Sequence, residues 1–233
     1  SGRPYAIGWM LDGSTAAAAV LQAFFPGEEG GPAIARIVSG AAEPSGRLPV
    51  SLPRSAGAQP YTYLHPRLGG PTDITSADNT PARPFGFGLT YTSFTREELT
   101  ASDAATDGTI TAQVRLSNVG DRAGTDVVQL YARDIVGSVT RPVAQLLAYQ
   151  RVSLAPGESA TVTFSVPTSR LAFTGREGHR IVEPGAIDLW VGGSCAERDT
   201  ETRIELVGPV HAITADAPRT ATAAVSALVP DPR

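Results

Sequence analysis

The chain has 233 residues, 42% of them hydrophobic and 18% charged. That is enough for one large domain or two small ones, and too apolar for disorder throughout. No run of about 18 apolar residues occurs, so no segment reads as a membrane-spanning helix and no membrane partner is expected. The formal net charge is −4, and all 19 basic residues are Arg, scattered without a stripe. A nucleic-acid partner is therefore not expected either.

The opening Ser1-Gly2-Arg3-Pro4 does not read as a targeting leader, a pattern equally expected of a chain cut from something longer. The single cysteine, Cys195, excludes an internal disulfide and sits in no redox motif. His65, His179 and His211 lie far apart and in no metal spacing. No metal site and no cofactor are expected.

Residues 1–92 read as an incomplete unit. Tyr5–Met10 suits a strand. Ala16–Phe25 is an Ala-rich run that fits a helix or a buried strand, since periodicity alone does not separate them. Pro26-Gly27 stops it. Glu28–Val38 reads as a helix, with Ala33, Ile34, Ile37 and Val38 on one side and Gly40 as its stop. From Ala41 to Phe94 the chain is rich in Pro and turn residues, a long irregular stretch that something else must support. One helix and two candidate strands cannot cover both faces of a parallel sheet. The expectation is the end of a larger α/β domain whose beginning lies elsewhere.

The second half changes character. Ile110–Leu116 alternates apolar and polar residues, Asp126–Ala132 and Val143–Leu154 follow as strands, and Ser159–Val166 and Ile187–Val191 complete the pattern. Turn formers separate them, with Pro156-Gly157 placed for a type II turn. Many short strands joined by short turns predict an antiparallel sandwich of roughly 100–115 residues. Residues 208–233, rich in Ala, Thr and Pro, read as a loosely packed tail or an arm on another domain.

Four blocks then carry a family resemblance. Phe24–Ala35 (Phe-Phe-Pro-Gly-Glu-Glu-Gly-Gly-Pro-Ala-Ile-Ala) and Pro44–Arg54 (Pro-Ser-Gly-Arg-Leu-Pro-Val-Ser-Leu-Pro-Arg) resemble glycoside hydrolase family 3, where they end the α/β sandwich domain. Pro84–Phe94 is similar to that family's link into its third domain. Asp126–Tyr131, Arg141-Pro142, Leu146–Val152 and Leu154–Glu158 are similar to its fibronectin type III-like domain. Ser1–Pro4 resembles the turn after a buried strand of the sandwich.

The resemblance implies an α/β sandwich remnant, an incomplete parallel sheet with a helix, followed by an all-β immunoglobulin- or fibronectin-III-like sandwich. It divides the chain into 1–56 (end of the α/β domain), 57–94 (linker), 95–207 (β-sandwich) and 208–233 (tail). It further implies part of an exo-acting, retaining β-glycosidase for terminal β-D-glucosyl or β-D-xylosyl residues. Such enzymes need two carboxyl groups about 5–5.5 Å apart. The family places its Asp nucleophile in a preceding barrel and usually its acid/base Glu upstream in the sandwich, and neither has a counterpart here. No catalytic residue is therefore assigned, and the expected partners are an N-terminal barrel/sandwich part and a β-linked oligosaccharide or glycoside.

Local candidates are weighed on their own chemistry. Glu28 and Glu29 are adjacent at a helix start, where the helix dipole favours acids, and adjacent helical side chains point about 100° apart. They are read as structural. Arg47 and Arg54, in a Pro-rich loop with few local acids, are expected to bridge to protein outside the chain, with substrate contact second. Tyr61, Tyr63 and His65 combine aromatic faces with a hydrogen-bonding ring and are the substrate-binding candidates, with interface packing as the alternative. His179 reads as an exposed turn residue and Trp190 as core. The competing reading of the whole is a non-catalytic sandwich that binds polysaccharide or protein, for which only Tyr131, Tyr149 and Trp190 offer aromatic surface, each in a pattern that suggests burial.

Overall fold

The computed structural model describes residues 2–58, 61–69, 73–74, 78 and 80–228. The first 92 residues hold two short helices, α1 (Gly8–Leu11) and α2 (Gly30–Val38). The predicted helix thus forms from Gly30 onwards, with Glu28 and Glu29 exposed just ahead of it.

Tyr5–Met10 is not a strand. An isolated strand leaves its N–H and C=O groups unpaired, and here Ile7 N–H donates to Tyr5 O at 2.9 Å and Met10 N–H to Ile7 O at 2.8 Å, curling the segment into α1. Ala16–Phe25 is neither helix nor strand, and Val20, Leu21 and Phe25 are exposed. Tyr5, Trp9 and Val38 are exposed as well, so this region presents apolar surface to its surroundings.

What order it has comes from the blocks 46–52 and 82–88, which run beside each other. Leu48 N–H donates to Phe87 O, Gly86 N–H to Leu48 O, and Leu52 and Arg83 form a bridge. Gly88 permits the approach, since a Cβ there would meet Gly46 O.

Twelve strands follow: β1 (Phe94–Ala101), β2 (Ala104–Ala105), β3 (Thr109–Asn118), β4 (Gly124–Asp134), β5 (Gln145–Leu154), β6 (Ser159–Pro167), β7 (Phe173–Thr174), β8 (Arg180–Val182), β9 (Gly185–Gly192), β10 (Thr200–Val207), β11 (His211–Ala212) and β12 (Thr222–Leu228). They form one sheet in the order β1-β3-β6-β12, a second in the order β2-β10-β9-β4-β5, and a small β11-β8-β7 sheet. The turn after β5 closes as its sequence predicts: Gly157 has φ 76° and Glu158 N–H donates to Ala155 O at 3.1 Å.

The two large sheets enclose a single aliphatic layer built from alternate residues. On β3 these are Ile110, Ala112, Val114 and Leu116; on β6 they are Ala160, Val162, Phe164 and Val166. The register sets large against small at two positions, with Ala112 opposite Phe164 and Leu116 opposite Ala160, the complementarity that close packing needs. Residues 222–228, expected in a tail, pair with β6 along its whole length as the edge strand of the first sheet.

Central strand β4 is buried on both faces. Val128, Leu130 and Ala132 enter the aliphatic layer, while Gln129 and Tyr131 lie under the 82–88 block. Gln129 Nε2 donates to Gly86 O at 3.1 Å, and Tyr131 Oη donates to Gln129 Oε1 at 2.8 Å. Gly86 has φ 84°, and a Cβ there would run into both of those side chains.

Candidate functional site

The three sequence-predicted residues converge. Tyr61, Tyr63 and His65 line one recess of about 450 Å³ together with Ser51, Arg54, Thr80, Ala144 and Cys195. Successive turns of the linker place them. Pro66 bridges to Pro142, Val143 N–H donates to His65 O at 3.1 Å, and the segment is thereby fastened to the loop before β5.

Within the recess the three differ in role. The Tyr63 ring stacks on Phe85 with centroids 4.1 Å apart, and its Oη accepts the Leu146 N–H at 3.4 Å. Both rings pack on a second apolar cluster of Tyr131, Ala144 and Trp190. Tyr63 is thus an anchor between linker and sandwich. The Tyr61 and His65 rings meet each other, tilted at 53° with centroids 5.7 Å apart, and form the open wall. His65 Nδ1 lies 2.8 Å from Pro66 O, so that nitrogen carries a proton and donates to the carbonyl.

Burial governs the electrostatics. It pushes the phenols of Tyr61 and Tyr63 up, in Tyr63 against the lowering effect of the Leu146 N–H. It also pushes the Cys195 thiol from its ordinary 9.0 up to about 11, with the Glu197 charge adding to the rise. All three groups are neutral near pH 7, and Cys195 is no nucleophile there. Arg54 supplies the positive charge; its Nε lies 3.3 Å from Asp78 Oδ2. Among the described residues the lining contains no Asp or Glu. Such a wall can stack on a sugar ring and exchange hydrogen bonds with its hydroxyls, but it has no acid to protonate a leaving oxygen and no carboxylate to attack carbon.

Arg54 therefore pairs within the chain, and so does Arg47, whose expected bridge to protein outside is replaced by Asp126 of β4 at 2.6 Å. Asp126 is fully buried and also takes two hydrogen bonds from Arg96 of β1, at 2.8 Å each. Arg96 goes on to Asp199 at 2.8 Å. Burial alone would lower the Arg96 pKa, but the charges of Asp126 and Asp199 outweigh it and the net direction is upward.

Of the aromatic residues of the sandwich, Trp190 is 1% exposed, stacks on Tyr131 and carries Arg198 over its face at 4.2 Å. Tyr149, expected to be buried, is 63% exposed on edge strand β5. His179 is exposed in the turn before β8. Among the described residues no group of three or more His, Cys, Asp or Glu is placed to hold a metal, and no helix is long and apolar enough to cross a membrane.

Comparison with known proteins matches residues 1–91 to the glycosyl hydrolase family 3 C-terminal domain and residues 126–195 to the fibronectin type III-like domain. The chain belongs to glycosyl hydrolase family 3. It carries the family's C-terminal domain followed by the fibronectin type III-like domain, the mostly-β architecture described above. Over 204 residues it is 37% identical to a periplasmic beta-glucosidase of Salmonella typhimurium, covering 82% of this chain and 26% of that protein. Over 207 residues it is 35% identical to a beta-xylosidase of Formosa agariphila, covering 87% of this chain and 28% of that one. Among solved structures, a beta-glucosidase from Listeria innocua superposes with a TM-score of 0.73 at 31% identity, over 81% of this chain and 28% of that one. The chain thus spans about a quarter of the length of these family 3 relatives.

The segment Pro84–Phe94 brings an aromatic-glycine pair over β4: Phe85 stacks on Tyr63, and Gly86 leaves room for Gln129 and Tyr131. Sequence reasoning missed Ser51, Ala144 and Cys195 of the recess wall. They come from three separate segments with no shared motif, and the Phe85 N–H bonded to Ser51 Oγ at 3.0 Å is visible only once the two blocks lie together.

Proposed function

We propose that this chain is the C-terminal portion of an exo-acting, retaining β-glycosidase that removes terminal β-D-glucosyl or β-D-xylosyl residues. The chain supplies no catalytic carboxylate. It works with an N-terminal barrel/sandwich part that does, and its own role is to complete the α/β sandwich domain and hold it to the fibronectin-like module. In this reading residues 1–56 close the α/β domain, 57–94 link it, 95–207 form the β-sandwich, and 208–233 are the tail whose strand β12 returns to the module's sheet. Tyr61 and His65 touch the sugar or its aglycone at the edge of the active site, and Tyr63 supports them from behind.

The observation that carries this reading is a recess with aromatic and hydrogen-bonding walls and no described carboxylate, in a chain aligned with a quarter of a beta-glucosidase and a beta-xylosidase. The exposed Tyr5, Trp9, Phe25 and Val38 support an N-terminal partner, since apolar surface of this kind marks an interface. The competing reading as a carbohydrate-binding module has little to stand on, because Trp190 and Tyr131 are buried and Tyr149 stands alone.

Turnover of aryl β-glucoside and aryl β-xyloside by the whole protein and by the 233-residue chain tests it. The whole protein is expected to hydrolyse at least one of them, with retention at the anomeric carbon, and the chain alone neither. Hydrolysis by the chain alone, or inversion by the whole protein, overturns it.

A further inference from the structure

A second recess, of about 480 Å³, lies between the β4–β5 loop and the linker, on the other side of Val143 from the first. Three arginines reach it: Arg133 from the end of β4, Arg141 from the loop and Arg67 from the linker. Among the described residues, neither the Arg67 nor the Arg133 side chain has a hydrogen bond or ion pair. The loop adds backbone donors. The N–H groups of Gly137, Val139 and Thr140 have no described protein acceptor.

The acids nearby are already engaged. Asp134 pairs with Arg141 at 3.2 Å, and Glu183 accepts the Ser138 N–H at 2.9 Å. Asp188, which faces Arg133 across the β4–β9 pairing, is bonded to Arg203 Nε at 2.7 Å. Arg176 and Arg180 add further positive charge around the loop: Arg176 Nε donates to Ser138 O, and Arg180 Nη2 donates to Ala172 O. Burial lowers the Arg141 pKa and the Arg180 charge lowers it further, against the raising effect of Asp134. A cation disfavoured in this way is one that an added negative charge would stabilise. Ile135, Val136, Val139 and Val143 give the recess an apolar wall, and Asp134, Ser138 and Thr140 also line it, so three arginines outnumber its one acid.

We propose that this recess is an anion-binding site, which takes one carboxylate or phosphate group on the guanidinium groups of Arg133 and Arg67 and on the free N–H groups of the β4–β5 loop. Planar guanidinium forks suit such oxyanions. The volume admits an anion carried on a ring the size of a hexose, as in a hexuronic acid, as well as free phosphate. The site is distinct from the recess of Tyr61 and His65 and is independent of glycosidase activity.

The test is calorimetric titration of the whole protein with sodium glucuronate and inorganic phosphate. Saturable binding of glucuronate or phosphate that weakens as salt is raised supports the site. Tighter glucuronate identifies an anion borne on a sugar, and equal or tighter phosphate a free oxyanion. Arg133→Gln and Arg67→Gln should each weaken the bound anion by about tenfold, the scale of one charge-assisted hydrogen bond. Arg67 is exposed, so its variant reports without risk to folding. The proposal is overturned if neither anion binds or if both variants bind as the parent does.

Discussion

Arg47 Nη2 lies 2.6 Å from Asp126 Oδ1, which ties the Pro-Ser-Gly-Arg-Leu-Pro block to the first turn of β4 across 79 positions of sequence. Because Asp126 also accepts from Nε and Nη2 of Arg96, one buried carboxylate joins the N-terminal segment, strand β1 of one sheet and strand β4 of the other. It is the joint between the part of the chain that matches the glycosyl hydrolase family 3 C-terminal domain and the β-sandwich that follows.

Asp126→Ala leaves two largely buried guanidinium groups facing each other. Removing one partner from a buried pair costs about 3–5 kcal/mol, more than the pair contributes over an apolar replacement, because the remaining charge stays desolvated. Arg47→Met leaves Asp126 still held by Arg96 and is expected to cost less, about 1–3 kcal/mol. Urea denaturation should rank the variants in that order, and limited proteolysis should cut the 46–52 segment faster in Arg47→Met. Equal stability of Asp126→Ala and the parent would show that the joint is dispensable.

Much of the sandwich was legible because half-buried strands leave a period-two trace. Ile110 to Leu116 and Ala160 to Val166 announce β3 and β6 directly. Strand β1 left no such trace. It has one fully buried residue, Leu99, and its register slips between Glu97 and Thr100, with Glu98 at φ 58°, so no alternation survives. Strand β12 is built from small residues at a sheet edge, and a strand that buries little has no pattern to read. The site was legible only in part for a related reason. Tyr61, Tyr63 and His65 sit at alternate positions of one short segment, whereas the Arg47–Asp126 joint links distant segments whose pairing leaves no local mark.

The two tyrosines of the recess should separate by phenotype. Tyr63→Ala removes the stack on Phe85 and uncovers the cluster of Tyr131 and Trp190, a loss of about 2–4 kcal/mol. Tyr63→Phe gives up only a 3.4 Å hydrogen bond and should cost under about 1 kcal/mol. Tyr61→Ala, on the open wall, should leave the melting temperature nearly unchanged and raise KM for an aryl β-glucoside about three- to tenfold with little change in kcat. A melting loss in Tyr61→Ala equal to that in Tyr63→Ala, with KM unmoved, would make both residues packing anchors.

Alkaline pH probes the same wall. The Cys195 thiol is pushed up to about 11 in the folded chain from an ordinary value of 9.0. Below pH 9 folded and unfolded thiols are both protonated and contribute nothing to the pH slope. Between pH 9 and 11 the unfolded thiol loses its proton while the folded one keeps it, so stability falls as pH rises, by up to roughly 2–3 kcal/mol. The raised phenols of Tyr61 and Tyr63 extend the fall to higher pH. Urea midpoints measured from pH 7 to 11 should decline beyond pH 9, and Cys195→Ala should flatten the first part of the decline. Iodoacetamide should label the native thiol far more slowly than the unfolded one at pH 8. Labelling at equal rates would place Cys195 in water instead.

Strand β12 closes the edge of β6. Seven residue pairs, from Thr222 opposite Ser165 to Leu228 opposite Ser159, occupy backbone groups that would otherwise face solvent. Among the described residues, only partly buried Ala221 and Ala223 pack against the aliphatic core from this side, and Val225 is exposed. The strand's larger effect is to cover an edge whose open N–H and C=O groups invite pairing with another chain. Deleting residues 221–233 should therefore cost only about 1–2 kcal/mol in stability yet promote self-association. Light scattering after size-exclusion chromatography should show dimers or larger species that depend on concentration. Replacing Thr161 and Thr163 of the uncovered β6 with Lys should restore the monomeric behaviour, because charge on an open edge opposes strand addition. A truncated protein that loses stability heavily and stays monomeric would instead make β12 a core element of the sandwich.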